Sequence, residues 1–453
     1  MNVARRGIAT SVTLLILLGA AAACEQRPPA DAAVEPPPPR PNVLVIVTDD
    51  QRAPGTLDVM RHTRRFFSDG TRFEQAYATT PLCCPSRASI MTGLYAHNHG
   101  VKTNDDGSDL DQSLTLQRHL KDAGYRTALA GKYLNRWDPQ VDPPHFDRWA
   151  LWLRGWYYGS RYNVDGVPKR IDRYSTTYIV TKALGMMRDF EATDETPWFL
   201  YVWPLTPHKP FTPAPQDRDA RIPPFVHDPA TRDRDLSDEP DFLRASTSSE
   251  SVARKTRSEQ LRSLISLDRE LARVYGRLGA LGELENTLVV FMSDNGYLWG
   301  EHGIVGKRYP YTPSIQIPLL LRWPGYTTTA TDSRLVTNLD VATTIAEATG
   351  LELATDGRSL ISAGARDRLL IEQWADDETL VPTMASLLTP DFQYVEYFTP
   401  EGTVAERAYY DLQADPYQLS NLLGDADGSN DPPTAELSEQ LDRDRVCSSQ
   451  ACP

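Results

Sequence analysis

The chain has 453 residues, 40% of them apolar, enough for one large domain or a large domain with a smaller one. Its 61 acidic residues outweigh 47 Lys and Arg, giving a net charge of −14. That balance excludes nucleic acid and anionic membrane surfaces as general partners, but a locally basic site could still take an anionic substrate.

The N-terminus reads as an export signal over residues 1–23. Arg5 and Arg6 precede a largely apolar run that ends in the small residues Ala20 to Ala23. The run is too short to span a bilayer comfortably. Cys24 follows directly and is a candidate for lipid attachment, which would make a membrane a partner only through that lipid; plain cleavage and secretion is the alternative. Residues 24–41, with four consecutive prolines at 36–39, form a stiff extended tether.

From residue 42 onward, short apolar runs at 43–47, 127–130, 198–203, 288–292 and 317–321 read as buried parallel strands. Helical spacing covers 112–123, 177–190, 257–281 and 338–349, and Gly124, Gly282 and Gly350 close three of these helices. The alternation predicts an α/β fold: a mostly parallel central sheet sandwiched by helices over 42–370. Residues 371–453 form a smaller C-terminal α+β subdomain, with antiparallel strands at 392–398 and 407–412 packed on a helix. Residues 213–249, rich in Pro, Asp and Arg, are a long surface insertion. The aromatic cluster Trp149, Trp152, Trp156, Tyr157 and Tyr158 reads as core packing, with stacking on sugar faces as the alternative. Cys447 and Cys452 are placed to form one disulfide in an oxidising compartment.

Chemistry concentrates where the strands stop, which is where ligands bind in such sheets. Asp49 and Asp50 follow the first strand, Lys132 the second, His208 the third, and Asp294 and Asn295 the fourth. Taken singly, each has an ordinary reading as a turn, a cap or a solvated charge. Together they deliver hard oxygen ligands suited to Ca²⁺ or Mg²⁺, with a mostly protein-built cage favouring Ca²⁺. Arg87, Lys132 and Lys307 are the cations expected to balance that cage. Cys83 opens an apparent helix over 86–92 closed by Gly93, and a helix N-terminus favours an anionic nucleophile or ligand.

The run Cys83-Cys84-Pro85-Ser86-Arg87 through Thr92-Gly93 resembles the formylglycine sulfatases of the alkaline phosphatase superfamily. The likeness continues through Asp49-Asp50, Gly131-Lys132, Thr206-Pro207-His208, Ser293-Asp294-Asn295-Gly296, Lys307 and the C-terminal Tyr410-Asp411-Leu412. His97-Asn98-His99, Gly131 to Asn135 and Lys307-Arg308 look most like the N-acetylglucosamine-6-sulfatase and extracellular heparan sulfatase branch.

The resemblance implies an exported sulfuric ester hydrolase acting on a sulfated carbohydrate, with 6-O-sulfated N-acetylglucosamine as the expected type. A formylglycine-generating enzyme would oxidise Cys83 to an aldehyde that hydrates to a geminal diol. Asp49, Asp50, Asp294, Asn295 and modified Cys83 would bind one Ca²⁺. Arg87 would help hold the nucleophilic hydroxyl, Lys132 and Lys307 would bind sulfate oxygens, and His208 would protonate the leaving alcohol. Many members carry a histidine where this chain has Leu134, which leaves His97 or His99 as candidate bases for sulfate expulsion. His302 is expected to be structural or substrate-facing. Two rival readings are a phosphodiesterase or phosphonate hydrolase of the same superfamily, and a sulfated-glycan-binding protein without turnover.

Overall fold

The computed structural model describes residues 40–193, 196–233, 235–245 and 247–453. The expected signal, Cys24 and all but the last residues of the tether lie outside them.

Sixteen strands follow in chain order: β1 (Asn42–Thr48), β2 (Thr71–Tyr77), β3 (Arg126–Gly131), β4 (Arg148–Arg154), β5 (Ser160–Val164), β6 (Val167–Ile171), β7 (Trp198–Trp203) and β8 (Thr287–Ser293). The remainder are β9 (Leu298–Trp299), β10 (Val305–Gly306), β11 (Leu319–Arg322), β12 (Ala330–Thr337), β13 (Leu369–Gln373), β14 (Thr383–Leu388), β15 (Phe392–Phe398) and β16 (Val404–Asp411). Ten of them form one sheet in the order β12-β2-β11-β8-β1-β7-β3-β4-β5-β6. Its centre, β8-β1-β7-β3-β4, is parallel throughout.

The flanks make the sheet mixed. The run at 317–321, expected as a parallel strand, supplies β11, which pairs antiparallel with both β2 and β8. β4, β5 and β6 form an antiparallel meander at the opposite edge. β4 and β6 include charged and half-exposed residues, so they lack the continuous apolar run that marks a strand buried on both faces.

Alternation along the central strands explains the layering. Val43, Val45 and Val47 of β1 face one side with Leu288, Val290 and Met292 of β8, where helices Cys83–Thr92, Leu116–Asp122 and Asp340–Thr349 pack. Leu44 and Ile46 face the other side with Val289 and Phe291, against helices Ser175–Glu191 and Glu250–Leu281. Two apolar layers thus clamp β1 and β8, and each fully buried Val, Leu or Ile there contributes about 1.5–3 kcal/mol. β9 and β10 form a two-stranded antiparallel sheet, and a third sheet, β13-β14-β15-β16, is antiparallel and opens at Leu369, just ahead of the expected subdomain boundary. Helix Thr434–Asp444 and the Cys447–Cys452 disulfide follow it. No helix among the described residues is long and apolar enough to cross a membrane.

Candidate active site

The β1–β8 register sets Thr48 beside Ser293, so the residues that follow each strand emerge together. The Asp294 N–H donates to the Thr48 carbonyl at 3.1 Å, and the Asp50 N–H donates to Asp294 Oδ1 at 3.1 Å. Asp50 has φ of +68°, a left-handed turn that aspartate tolerates better than most residues. That turn lets neighbouring carboxylates serve one cluster. Asp49 donates its N–H to the Thr206 carbonyl at 3.1 Å, which ties in the loop after β7. On β3, Gly131 has φ of +123°, and a Cβ there would sit 1.9 Å from the Trp203 carbonyl oxygen. Only glycine fits, and the next residue is Lys132.

Helix Cys83–Thr92 is buried along its whole length and begins at the cysteine itself. Cys83 Sγ lies 3.2 Å from Asp49 Oδ1, 3.9 Å from Asp50 Oδ1 and 2.6 Å from Lys307 Nζ. It occupies the position that an oxygen takes if residue 83 is oxidised. One turn on, Arg87 donates from Nε to Asp294 Oδ2 at 2.9 Å and lies 3.3 Å from Asp49 Oδ2, its guanidinium over the Trp203 ring. Lys132 donates to Asp49 Oδ2 at 2.7 Å. Lys307, just after β10, reaches Asp50 Oδ1 at 2.5 Å and Asn295 Oδ1 at 3.4 Å. His208 Nε2 stands 3.8 Å from Asp50 Oδ2. Its Nδ1 lies 2.8 Å from the Lys209 carbonyl, which only accepts, so Nδ1 carries a hydrogen and Nε2 is left facing the cluster.

The electrostatics follow from this crowding. Burial alone would raise the Asp49 carboxyl, but Lys132 above all, with His208, Arg87 and Lys307, holds it well below the usual range. Burial and the neighbouring Asp49 charge push Asp294 up, against Arg87 and both lysines. Burial works against the Lys307 charge, yet Asp50 first, then Cys83 and Asp49, keep it firmly protonated. Burial, reinforced by Asp49, raises the Cys83 thiol, so the unmodified side chain is a poor thiolate nucleophile.

These contacts bring together Asp49, Asp50, Cys83, Arg87, Lys132, His208, Asp294, Asn295 and Lys307. His97 and His99 are not in the cluster. His97 Nδ1 pairs with Glu372 Oε1 at 2.8 Å and Nε2 lies 2.9 Å from the Cys447 carbonyl, so the ring braces the chain end. His99 Nδ1 accepts the Val101 N–H at 3.1 Å while Nε2 meets Ser89 Oγ at 3.0 Å. Buried His302 stacks on Tyr311 and faces Asp233.

Asp49, Asp50, Cys83 and His208 each offer a ligand atom within 4.8 Å of one another. The donor set fits a hard divalent cation. Asp50 Oδ1 and Asn295 Oδ1 converge with Cys83 Sγ on the Lys307 ammonium, a positive group already seated among the donors. Three carboxylates (Asp49, Asp50, Asp294) balance Arg87, Lys132 and Lys307, so a bound divalent ion would leave the pocket cationic and receptive to an anion.

Sequence reasoning missed two contributors. Asn338, on the far side of the fold in sequence, donates to Ser86 Oγ at 2.9 Å and accepts the Thr79 N–H at 3.0 Å, and Ser86 Oγ in turn donates to the Asp294 carbonyl. No local signal marks it. Trp156, expected as core, is 49% exposed and stacks on the His208 ring with centroids 5.6 Å apart. Its position in Gly155-Trp156-Tyr157-Tyr158-Gly159, between two glycines, is the signal that could have placed it on a loop. Tyr157, by contrast, is buried, and Trp149 and Trp152 pack against the two core layers.

The chain that builds this strand-end carboxylate cluster and helix-borne cysteine belongs to the sulfatase family, whose model matches residues 41–351. A second model, described as N-sulphoglucosamine sulphohydrolase, C-terminal, matches residues 300–446. The chain is 33% identical to the extracellular sulfatase SULF-1 homolog of Drosophila melanogaster over 74% of its own length but only 32% of that protein. It is 29% identical to the N-acetylglucosamine-6-sulfatase of Homo sapiens, covering 84% of this chain and 81% of that one. A solved structure of a protein in complex with its substrate D-glucosamine-2-N,6-O-disulfate has the same fold, with a TM-score of 0.75 at 24% identity over 89% of this chain and 97% of that one. The likeness supports placement in the N-acetylglucosamine-6-sulfatase and extracellular sulfatase branch.

Proposed function

We propose that this chain is an exported sulfuric ester hydrolase that releases sulfate from a 6-O-sulfated N-acetylglucosamine-type sugar. In this reading Cys83 is oxidised to formylglycine by a maturation enzyme, and Asp49, Asp50, Asp294, Asn295 and the modified residue hold Ca²⁺. The observation that carries it is the position of Cys83 Sγ, between Asp49 Oδ1 and Lys307 Nζ within a buried carboxylate cluster. The substrate class is supported by the glucosamine sulfates named for the relatives.

When bound, the metal supplies Lewis acidity that lowers the pKa of a coordinated hydroxyl and polarises a sulfate oxygen. The protein's own groups do the rest. Arg87 fixes Asp49 and Asp294 in one orientation from the interior side. Lys132 and Lys307 are cations that offset the charge developing on sulfate oxygens. His208 directs Nε2 toward the cluster, and a proton held there is placed for delivery to the leaving alkoxide. His97 and His99, expected as candidate bases, are assigned to bracing, since both ring nitrogens of each are taken up by protein partners. We assign catalysis to 42–370 and a supporting role to 371–453.

The test is turnover of 6-O-, 2-O- and N-sulfated glucosamines and a phosphate diester by protein co-expressed with its maturation enzyme, with mass spectrometry of the peptide carrying residue 83. Conversion of Cys83 together with 6-O-desulfation is expected. Cleavage of N-sulfated sugars alone would refute the branch, and preference for the phosphate diester would refute the reaction.

A further inference from the structure

The edge meander β4–β5–β6 carries charge that the active site does not use. Arg154 pairs across the strands with Arg161, and Arg161 pairs with Arg170, so three arginines occupy one cross-strand row. All three are exposed, as is Lys169 beside them. Directly opposed side chains lie about 4.5–5.5 Å apart at Cβ, and like charges so placed repel. Among the described residues neither Arg154 nor Arg161 has a carboxylate within ion-pair distance, and Arg170 meets only the exposed Asp172. On a chain of net charge −14, this row is a local reversal of sign. It lines a groove of about 550 Å³ with Pro139, Gln140 and Leu153.

The row is linked to the active site through one loop. Gly155 to Gly159 connect β4 to β5, and the Arg170 guanidinium lies 3.7 Å from where a Gly159 Cβ would stand. The same loop holds Trp156 against the His208 ring and leaves Trp156 and Tyr158 exposed. Flat aromatic faces beside a line of guanidinium groups match alternating sugar faces and anionic substituents.

We propose that Arg154, Arg161 and Arg170 form a distal subsite for a polyanionic sulfated glycan whose reacting residue lies in the Cys83 cluster. The proposal rests on the function given above for the placement of that reacting residue. The favoured substrate is accordingly a sulfated chain several sugars long, held by its backbone charges beyond the point of cleavage.

The test uses the full chain with Cys83→Ser, which binds without turnover, alone and combined with R154A/R161A/R170A, and calorimetry with a sulfated dodecasaccharide of the glucosamine–uronate type. The triple substitution should weaken binding by about tenfold or more. It should also flatten the dependence of log Kd on log salt by about 2, near 0.7 for each cation removed. R154K/R161K/R170K should retain most of the affinity, which a merely structural role would not predict. In the active protein, the alanine set should lower kcat/KM for the dodecasaccharide and leave turnover of 6-sulfated N-acetylglucosamine unchanged. Unaltered dodecasaccharide affinity in the alanine set overturns the subsite, as does equal affinity of the parent for a single-stranded DNA of matching charge. Absence of turnover on every sulfate ester would instead defeat the proposed function, leaving the calorimetric comparison to decide the subsite by itself.

Discussion

Replacing Arg87 with methionine tests the charge balance of the centre directly. The guanidinium is fully buried and spans Asp294 at 2.9 Å and Asp49 at 3.3 Å. Removing one partner of a buried ion pair costs about 3–5 kcal/mol, because the remaining charge is left without compensation. For a folded body of this size that is a melting shift of about 3–6 °C. The loss should depend on pH. Asp294 is already pushed up by burial and by Asp49, and without Arg87 it rises further. A carboxyl raised above its unfolded value contributes stability at low pH that is lost as pH climbs toward the folded value. The gap between variant and parent should therefore widen on going from pH 5 to pH 8, by up to about 1.4 kcal/mol per unit of added shift. Calcium should narrow the gap, since a divalent ion restores positive charge beside the same carboxylates. Thermal denaturation in chelator and in millimolar CaCl₂, at both pH values, reads all three effects. A gap below about 1 °C, or one indifferent to pH and calcium, would refute the charge-balance argument.

Three further outcomes follow from single residues. Burial lowers His99 to about 3, so it stays neutral in the fold, and acid stability should fall once pH drops below its ordinary value near 6.5. At pH 5 that amounts to about 2 kcal/mol, and chemical denaturation of His99→Gln should show a flatter profile between pH 7 and 5. Glu239 behaves oppositely. Burial raises it to about 8 beside the Tyr410 hydroxyl at 2.6 Å, so stability should decline from about pH 4.5 to 8, and Glu239→Gln should remove that slope, worth about 3 kcal/mol at pH 7. Gly131→Ala should destabilise by about 2–4 kcal/mol and depress turnover by shifting Lys132, because the added methyl meets the Trp203 carbonyl; full activity with an unchanged melting point would contradict the close approach.

The central strands and the carboxylate pairs at their ends were legible because both are local. A run such as residues 43–47 is apolar on both faces only when it lies between two helical layers, and polar residues abruptly following it can only stand at the strand's end. Cys83 was legible through its neighbours Pro85, Ser86 and Arg87, which identify a motif without any knowledge of distance. The antiparallel direction of β11 was not legible, since a short apolar run such as Leu319 to Leu321 carries no direction. Nor were the flanking strands β4 to β6, which mix exposed charge with buried aromatics and so lack a clean period.

From its own amino acids the chain determined which segments are buried, which oxygen-bearing and cationic side chains end them, and the chemistry open to those groups, because periodicity and residue type are properties of neighbours in sequence. The tertiary structure alone decided that His97 and His99, both open as bases from sequence, stay out of the cluster that His208 joins. His208 faces it, whereas Glu372 and Cys447, both far along the chain, claim His97, and Ser89 and Val101 take His99. A ring nitrogen can make one hydrogen bond at a time, and only packing settles which partner arrives first.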